Sequence, residues 1–413
     1  MRLLPPTGSW PRDFRLHFAA RLSAGLGSQG TYVATPLVAL LTFSPAQAAL
    51  VTAASYLSTL LVGVPAGLLA DHTSRRRVMA GAEAVQLIAM LGLAGCFASA
   101  SPPLALVCAL SFVNGAMFAV FGAASSSAVP DLVDRSELTG ALSAMQGRDA
   151  VISVIGPVIG AALVAVAPWL PFVVAAATFG TAVLLLAGIS QPLHPRPSPD
   201  GQDAAPGTGP GSRRGRAVRG FSLILAQPVL RGVVAAQVLL SLVLTGSFFT
   251  VIAVLSQRGV VIGSGAVTAA MGAGLLLGSV LAGRVGGRWS VTHAVLVQAL
   301  VWTGCMGLLA LWAPVATWSL LALMVPVLAL MWLLVPASRV ALELWIADRV
   351  AREERGRLQS GRGVLMAVAS PLGPTLSGLL LAGPGAPAAF AVLAAASLLA
   401  AVLVTLLPRS LGS

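Results

Sequence analysis

The chain has 413 residues, of which 57% are hydrophobic and only 9% charged, with a formal net charge of +12. A soluble protein of this length could not hide so much apolar surface, so lipid is the expected solvent for most of it. Every basic residue is Arg and none is Lys, and the arginines stand in short clusters between apolar runs, a membrane-topology pattern that argues against nucleic-acid binding.

Backbone polar groups in lipid must pair internally, which leaves helices or a closed barrel. The runs are long and unbroken, not short and alternating, and this selects helices. With Pro, Gly and charge as punctuation, the predicted spans are 15–41, 48–70, 77–99, 103–129, 137–166, 169–190, 228–256, 264–284, 290–313, 315–338, 358–382 and 386–407. The expected fold is an all-α integral membrane protein of about twelve transmembrane helices in two six-helix bundles.

Ahead of the first span, "MRLLPPTGSWPRDF" has no apolar core before its prolines and predicts no cleaved leader. It carries Arg2, Arg12 and Arg15. Arg75, Arg76 and Arg77 follow the second span; Asp131, Asp134, Arg135 and Glu137 follow the fourth. Arg284 and Arg288 follow the eighth, and "ELWIADRVAREERGR" is read as the loop after the tenth. The alternate loops are uncharged apart from Arg258. This alternation predicts a plasma-membrane (inner-membrane) protein with both termini in the cytoplasm.

Between the sixth and seventh spans, residues 191–220 are rich in Pro, Gly, Ser and Asp and cannot build a core. They predict a cytoplasmic linker between a bundle at 1–190 and a second at 221–413. The halves read as repeats. Asp134–Arg135 precedes Gly147–Arg148 and Pro157 at the spacing with which Asp348–Arg349 precedes Gly361–Arg362 and Pro371. "GLLADHTSRRR" likewise has a degenerate counterpart in "GSVLAGRVGGR". Cys96, Cys108 and Cys305 are scattered through apolar runs and suggest neither a metal site nor a disulfide framework.

Two motifs carry more than topology. In "GVPAGLLADHTSRRR", Gly63 and Gly67 share one helix face and permit close helix contact. Asp71 stands where it can meet a helix N-terminus or an Arg, and Arg75, Arg76 and Arg77 hold the turn at the membrane surface. In "VISVIGPVIGAAL", Gly156, Pro157 and Gly160 interrupt the fifth span. The first stretch resembles the signature loop between the second and third helices of the major facilitator superfamily, with His72 and Ser74 at positions where Arg and Gly are usual. The second is similar to the fifth-helix motif of exporters in that superfamily, with Ser143 and Ile152 in place of its earlier glycines. "VPDLVDRSELTGALSAMQ" resembles the stretch joining the fourth and fifth helices in the drug and siderophore exporter branch.

The resemblance implies a secondary active transporter, not an enzyme, that exports amphipathic small molecules by alternating access of its two halves, with efflux by antiport as the expected mode. It implies that Asp71 latches the cytoplasmic side against the eleventh helix and so favours the outward-open state. A plain positive-inside loop is the simpler reading of the same residues. An importer of a nutrient or metabolite on the same fold, and a non-transporting receptor or scaffold, are the rival functions.

Charges within spans are costly and usually face a protein interior. Arg21, Glu83, Arg148, Asp149 and Arg362 are such charges, all within a few turns of a cytoplasmic end. Snorkelling or local ion pairs explain them at the least. The alternative is proton coupling, because an unpaired carboxylate in low dielectric can titrate near neutral pH. Asp149 is then the first candidate and Glu83 the second, with Arg148 tuning the carboxylate or binding an anionic group. The fourth span, "LSFVNGAMFAVFG", has Ser111 or Asn114 where proton-coupled drug antiporters of this superfamily carry an Arg. The resemblance places a cavity among the first, fourth, seventh and tenth helices, where Gln29, Tyr32, Asn114, Phe118, Thr245, Phe248, Met331 and Trp332 are candidate lining residues. Without a phosphate-binding loop, a metal-ligand cluster or a nucleophile with a base, the sequence predicts neither ATP hydrolysis nor a cofactor. The expected partners are the lipid bilayer, a small-molecule substrate and protons, and the expected state is a monomer.

Overall fold

The computed structural model describes residues 10–134, 137–191, 222, 224–285, 289–315 and 317–407, with side chains except at 63–72, 127, 139, 283–285, 352–353, 356–357 and 360. The linker at 192–220 lies outside the described residues.

Twelve long helices follow one another among the described residues. They are α1 (Arg12–Thr42), α2 (Pro45–His72), α3 (Arg75–Ala98), α4 (Leu104–Leu132), α5 (Leu138–Val166), α6 (Leu170–Ala187), α7 (Pro228–Gln257), α8 (Val261–Val285), α9 (Val291–Trp312), α10 (Thr317–Arg349), α11 (Arg352–Ala382) and α12 (Ala386–Thr405). Among the described residues, 11 of them are long and apolar enough to cross a membrane by length and composition. The remaining one, α1, is long enough, but Ser23, Ser28, Gln29, Thr31 and Thr35 dilute its apolar character. Pro36, Pro157, Pro326, Pro336, Pro371 and Pro374 all sit inside helices. A membrane helix tolerates them because neighbouring helices and local adjustments re-satisfy the freed backbone groups.

One boundary departs from the sequence reading. The charged stretch after the tenth span is not a loop. Helix α10 runs on through Arg349, and α11 already begins at Arg352. Glu, Arg, Leu and Ala are all good helix formers, so charge ends the apolar span without ending the helix.

The described residues divide into two compact units, one within Met1–Arg196 together with Gly259–Ala269, the other within Pro197–Arg258 and Ala270–Ser413. The first turns of α8 thus count with the first unit. A Cβ at Gly265 would stand 3.3 Å from Val158 Cα and 3.4 Å from the Pro157 carbonyl oxygen. Glycine is what permits that approach.

Within each unit the packing repeats. In the first, α1 packs on α5 and α6, α3 on α4 and α6, and α2 on α4. In the second, α7 packs on α11 and α12, and α9 on α10 and α12. Helix α8 meets α10 where Gly274 and Gly278 lie against the Ala329 and Leu333 backbone. Each pair in the second unit is the pair in the first with six added to both helix numbers.

Small residues make the closest of these seams. A Cβ at Gly160 of α5 would lie 2.8 Å from the carbonyl carbon of Gly30 on α1, and one at Gly156 would lie 2.6 Å from Gln29 Cβ. Gly373 of α11 makes the corresponding helix seam with α7, one position off the repeat register, with a virtual Cβ 2.6 Å from Gly246 N. Lipid tails are as apolar as Leu, so membrane helices associate by close packing and polar contacts, which small residues allow.

Candidate functional site

Four helices of the first unit carry embedded polar side chains that meet in pairs and small groups along their inner faces. On α1, His17 and Arg21 are one turn apart on a shared face. On α3, Glu83 and Gln86 have the same relation. On α4, Ser111, Asn114, Phe121 and Ser125 recur at helical spacing, and α5 adds Arg148 and Asp149.

Arg148 donates from Nε and Nη2 to Asp149 Oδ1 at 3.1 and 2.8 Å. Arg21 Nη2 lies 3.7 Å from the other oxygen, Asp149 Oδ2. Asp149 is therefore the counter-ion of two arginines. His17 Nε2 meets the Ser125 hydroxyl at 3.2 Å, and Gln86 Nε2 donates to Asn114 Oδ1 at 3.4 Å. The Arg148 guanidinium lies over the Phe18 ring, 5.1 Å from its centroid, and that of Arg21 over Phe121 at 5.4 Å. These distances are within cation–π range.

Burial divides the cluster. The side chains of Arg148 and Asp149 are 2% and 54% exposed, and that of Arg21 is 24% exposed. Glu83 and His17 are fully buried. Arg21 feels the charges of Arg148, Asp149 and Glu83, and among the described residues Asp149 is the one that stands within ion-pair distance of it. Even so, His17 Nδ1, Arg21 Nε, Arg148 Nη1 and Glu83 Oε2 are buried without a hydrogen-bond partner among the described residues.

The four charges singled out in the first half of the sequence thus converge. Arg362 stands elsewhere, in the second unit. Its Nη2 donates to Glu343 Oε1 of α10 at 3.0 Å, and Gln359 donates to the other Glu343 oxygen at 2.7 Å. His17 escaped the sequence reading. Its position one turn before Arg21, inside an apolar run, was the available signal.

The signature-loop residues Gly63, Gly67 and Asp71 have side chains outside the described residues. Arg75 pairs with Asp131 at the end of α4, and Arg76 donates to the Ile189 carbonyl beyond α6. Arg77 is exposed. The arginines therefore tie the ends of α3, α4 and α6 together. The fifth-helix residues Gly156 and Gly160 make the α1–α5 seam, with Pro157 between them. In the second unit Arg258 donates to the carbonyls of Ala313 and Val315, which joins the end of α7 to the α9–α10 turn.

The candidate cavity residues fall in two groups. In the first unit Phe118 and Tyr32 are exposed, and the Tyr32 hydroxyl lies 3.3 Å from that of Tyr56. Gln29 and Asn114 are half-buried. In the second unit Thr245, Phe248 and Met331 are buried. Thr245 donates to carbonyls of its own helix, and the Met331 carbonyl accepts from Trp302 Nε1 at 2.9 Å. Trp332 is half-buried, and its Nε1 has no partner among the described residues.

Comparison with known proteins adds a family. The family model of the Major Facilitator Superfamily matches residues 18–340 and 260–411. Compared with curated protein sequences, the chain has no match. Among solved structures it resembles a bacterial homologue of the human lysosomal transporter Spinster, at 16% identity and a TM-score of 0.70, covering 96% of each chain. It also resembles the nucleoside transporter NupG, at 12% identity and 0.72, covering 95% of this chain and 98% of that one. A POT family transporter in complex with 5-aminolevulinic acid is similar at 13% identity and 0.71, over 100% of this chain and 99% of that one. At these identities the likeness is one of fold.

Proposed function

Because the chain belongs to the major facilitator superfamily, a family of multi-pass membrane transporters, we propose that it exports amphipathic small molecules by alternating access. It acts as a monomer in the plasma membrane with both termini in the cytoplasm. The observation that carries active transport is the ionic cluster of the first unit. Buried charge inside a membrane protein is expensive and marks substrate or proton pathways. Export, as in the drug and siderophore branch, is supported by the Gly156–Pro157–Gly160 motif on the α1–α5 seam. The coupling ion is a proton carried by a carboxylate of the cluster, Asp149 or Glu83. The sign of the coupling follows from the substrate's charge. A cation competes with the proton for the carboxylate and gives antiport; an anion favours the protonated carboxylate and moves with the proton.

The test is flux in proteoliposomes, with a panel of cationic, neutral and anionic amphipathic compounds and imposed pH gradients. Net movement toward the face that is extracellular in cells supports export. Net movement only toward the other face means the importer, and no movement of any compound means a receptor or scaffold.

Orientation has its own test, which the Arg-rich ends motivate. In a Cys-free background, cysteines at Ser74 and Ser212 are expected to react only with membrane-permeant thiol reagents, and cysteines at Ser101 and Ala386 with impermeant ones from outside. The reverse pattern overturns the orientation. If Asp71 latches the cytoplasmic side, Asp71→Asn raises the labelling rate at Ser74 on that side; an unchanged rate leaves Asp71 with a topological role alone.

A further inference from the structure

We propose that the cluster on α1, α3 and α5 is a binding site for the carboxylate of an amphipathic organic anion, held by Arg21 and Arg148, with Glu83 taking up one proton from solvent as the anion binds. This deepens the transport reading and rests on it for transport itself, not for its direction, because an anion that binds together with a proton travels with it down the proton gradient.

The unfilled donors come first. Arg21 Nε and Arg148 Nη1 are buried N–H groups with no acceptor among the described residues, and the buried His17 ring offers Nδ1 beside them. Folded proteins leave few such groups, because each forfeits its bonds to water without replacement. Donors from two guanidinium groups in one cluster, beside an imidazole nitrogen that donates when the ring proton sits on Nδ1, point to an acceptor that is brought in, and the guanidinium donors are planar edges suited to a carboxylate.

Ring geometry adds the amphipathic character. Phe18 and Phe121 cover guanidinium faces at 5.1 and 5.4 Å, which leaves the N–H edges for the ligand and sets apolar rings beside it. Arg21 and Asp149 form the cluster's accessible edge, being 24% and 54% exposed where Arg148 is 2%.

Charge then dictates the role of Glu83. With both carboxylates ionised, Arg21 and Arg148 are balanced by Asp149 and Glu83, and an entering anion would leave one buried negative charge in excess. Asp149 keeps its contact with Arg148 and half of its surface open to solvent. Glu83 is fully buried, with Oε2 unpartnered and Arg21 the cation within its electrostatic reach. An ionised carboxylate there is tolerable only while Arg21 faces it. When the anion takes over Arg21, a proton on Glu83 restores neutrality. The helices packed on α3 offer little else. Helix α6 carries no ionisable side chain, and α4 carries Cys108 and, at its end, Asp131, which is already paired with Arg75. Helix α2 carries Tyr56, whose hydroxyl meets Tyr32, and at its end Asp71 and His72, whose side chains lie outside the described residues.

The experiment uses the purified full chain in detergent, with radiolabelled salicylate as the anion and salicylamide as its neutral counterpart. At pH 6, where salicylamide is neutral, wild type is expected to bind salicylate at least tenfold more tightly than salicylamide, and to bind salicylate at least tenfold more tightly at pH 6 than at pH 8. At the alkaline end of this range, where Glu83 starts ionised, up to one proton is taken up per salicylate, read with an indicator in weak buffer. Glu83→Gln keeps salicylate binding but loses both the pH dependence and the proton uptake. Arg21→Gln weakens binding at least tenfold, and Arg21→Lys, which keeps the charge in place, serves if the Gln variant does not fold. Equal affinity for salicylate and salicylamide overturns the proposal, as does an unchanged proton uptake in Glu83→Gln. If the proteoliposomes transport cations or neutral compounds while the binding tests fail, the anion site is wrong and the transport reading stands. If no compound of the panel is transported, the transport reading fails whatever binds.

Discussion

Gly160→Ala is expected to destabilise the first bundle by about 3 kcal/mol, at the upper end of overpacking costs, and to abolish transport. The added methyl would meet backbone, not a side chain that can swing away. Its Cβ would lie 2.8 Å from the Gly30 carbonyl carbon and 2.9 Å from Gly30 Cα. Relief requires α1 and α5 to separate along the whole seam, which carries Arg21 on one side and Arg148 and Asp149 on the other. Gly373→Ala should behave alike in the second bundle, where its Cβ would stand 2.5 Å from the Leu242 carbonyl oxygen. Gly147→Ala and Gly304→Ala are the controls. Nothing lies within 4 Å of a Cβ at either, so the better helix propensity of alanine should leave stability unchanged or raised. Thermal unfolding in detergent, followed for the four variants, reads the difference. A Gly160→Ala protein that unfolds at the wild-type temperature would show that the seam is looser than described.

Asp149→Ala is expected to cost about 2–3 kcal/mol, whereas Arg148→Met should cost about 1 kcal/mol or less. The two halves of an ion pair are not equivalent here, because burial is not shared. Removing the carboxylate leaves Arg148, 2% exposed, uncompensated in the cluster with Arg21. Removing the guanidinium instead leaves a carboxylate that is 54% exposed and still 3.7 Å from Arg21. Water takes over much of the lost interaction in that case. The double variant should cost clearly less than the sum of the singles, since the two changes remove one shared contact. Equal costs for the single variants, or strict additivity, would mean that Arg148 has another counter-ion.

The apolar runs and the arginine clusters were enough to place twelve helices and to pair the halves. Both signals are local, because lipid imposes the same length and polarity on each span independently. The end of α10 was not legible from them. Polarity marks where the membrane stops, and "ELWIADR" remains helical beyond that point because its residues are good helix formers. Gly156 and Gly160 were visible as a motif, yet what they meet was not, since the Gly30 backbone lies on another helix.

The cluster divides in the same way. Sequence by itself determined that Arg21, Glu83, Arg148 and Asp149 are charges in apolar surroundings and therefore need partners. Only the tertiary structure decided the assignments. Asp149 turns to two arginines and keeps half its surface open, Glu83 is fully buried with an oxygen unpartnered, and His17 joins them from one turn along α1. The physical reason is rotational. A hydropathy pattern specifies that a helix spans the bilayer, but its rotation about its own axis is set by the packing of side chains against neighbouring helices, and a turn of about 100° per residue decides whether a charge meets a partner or solvent.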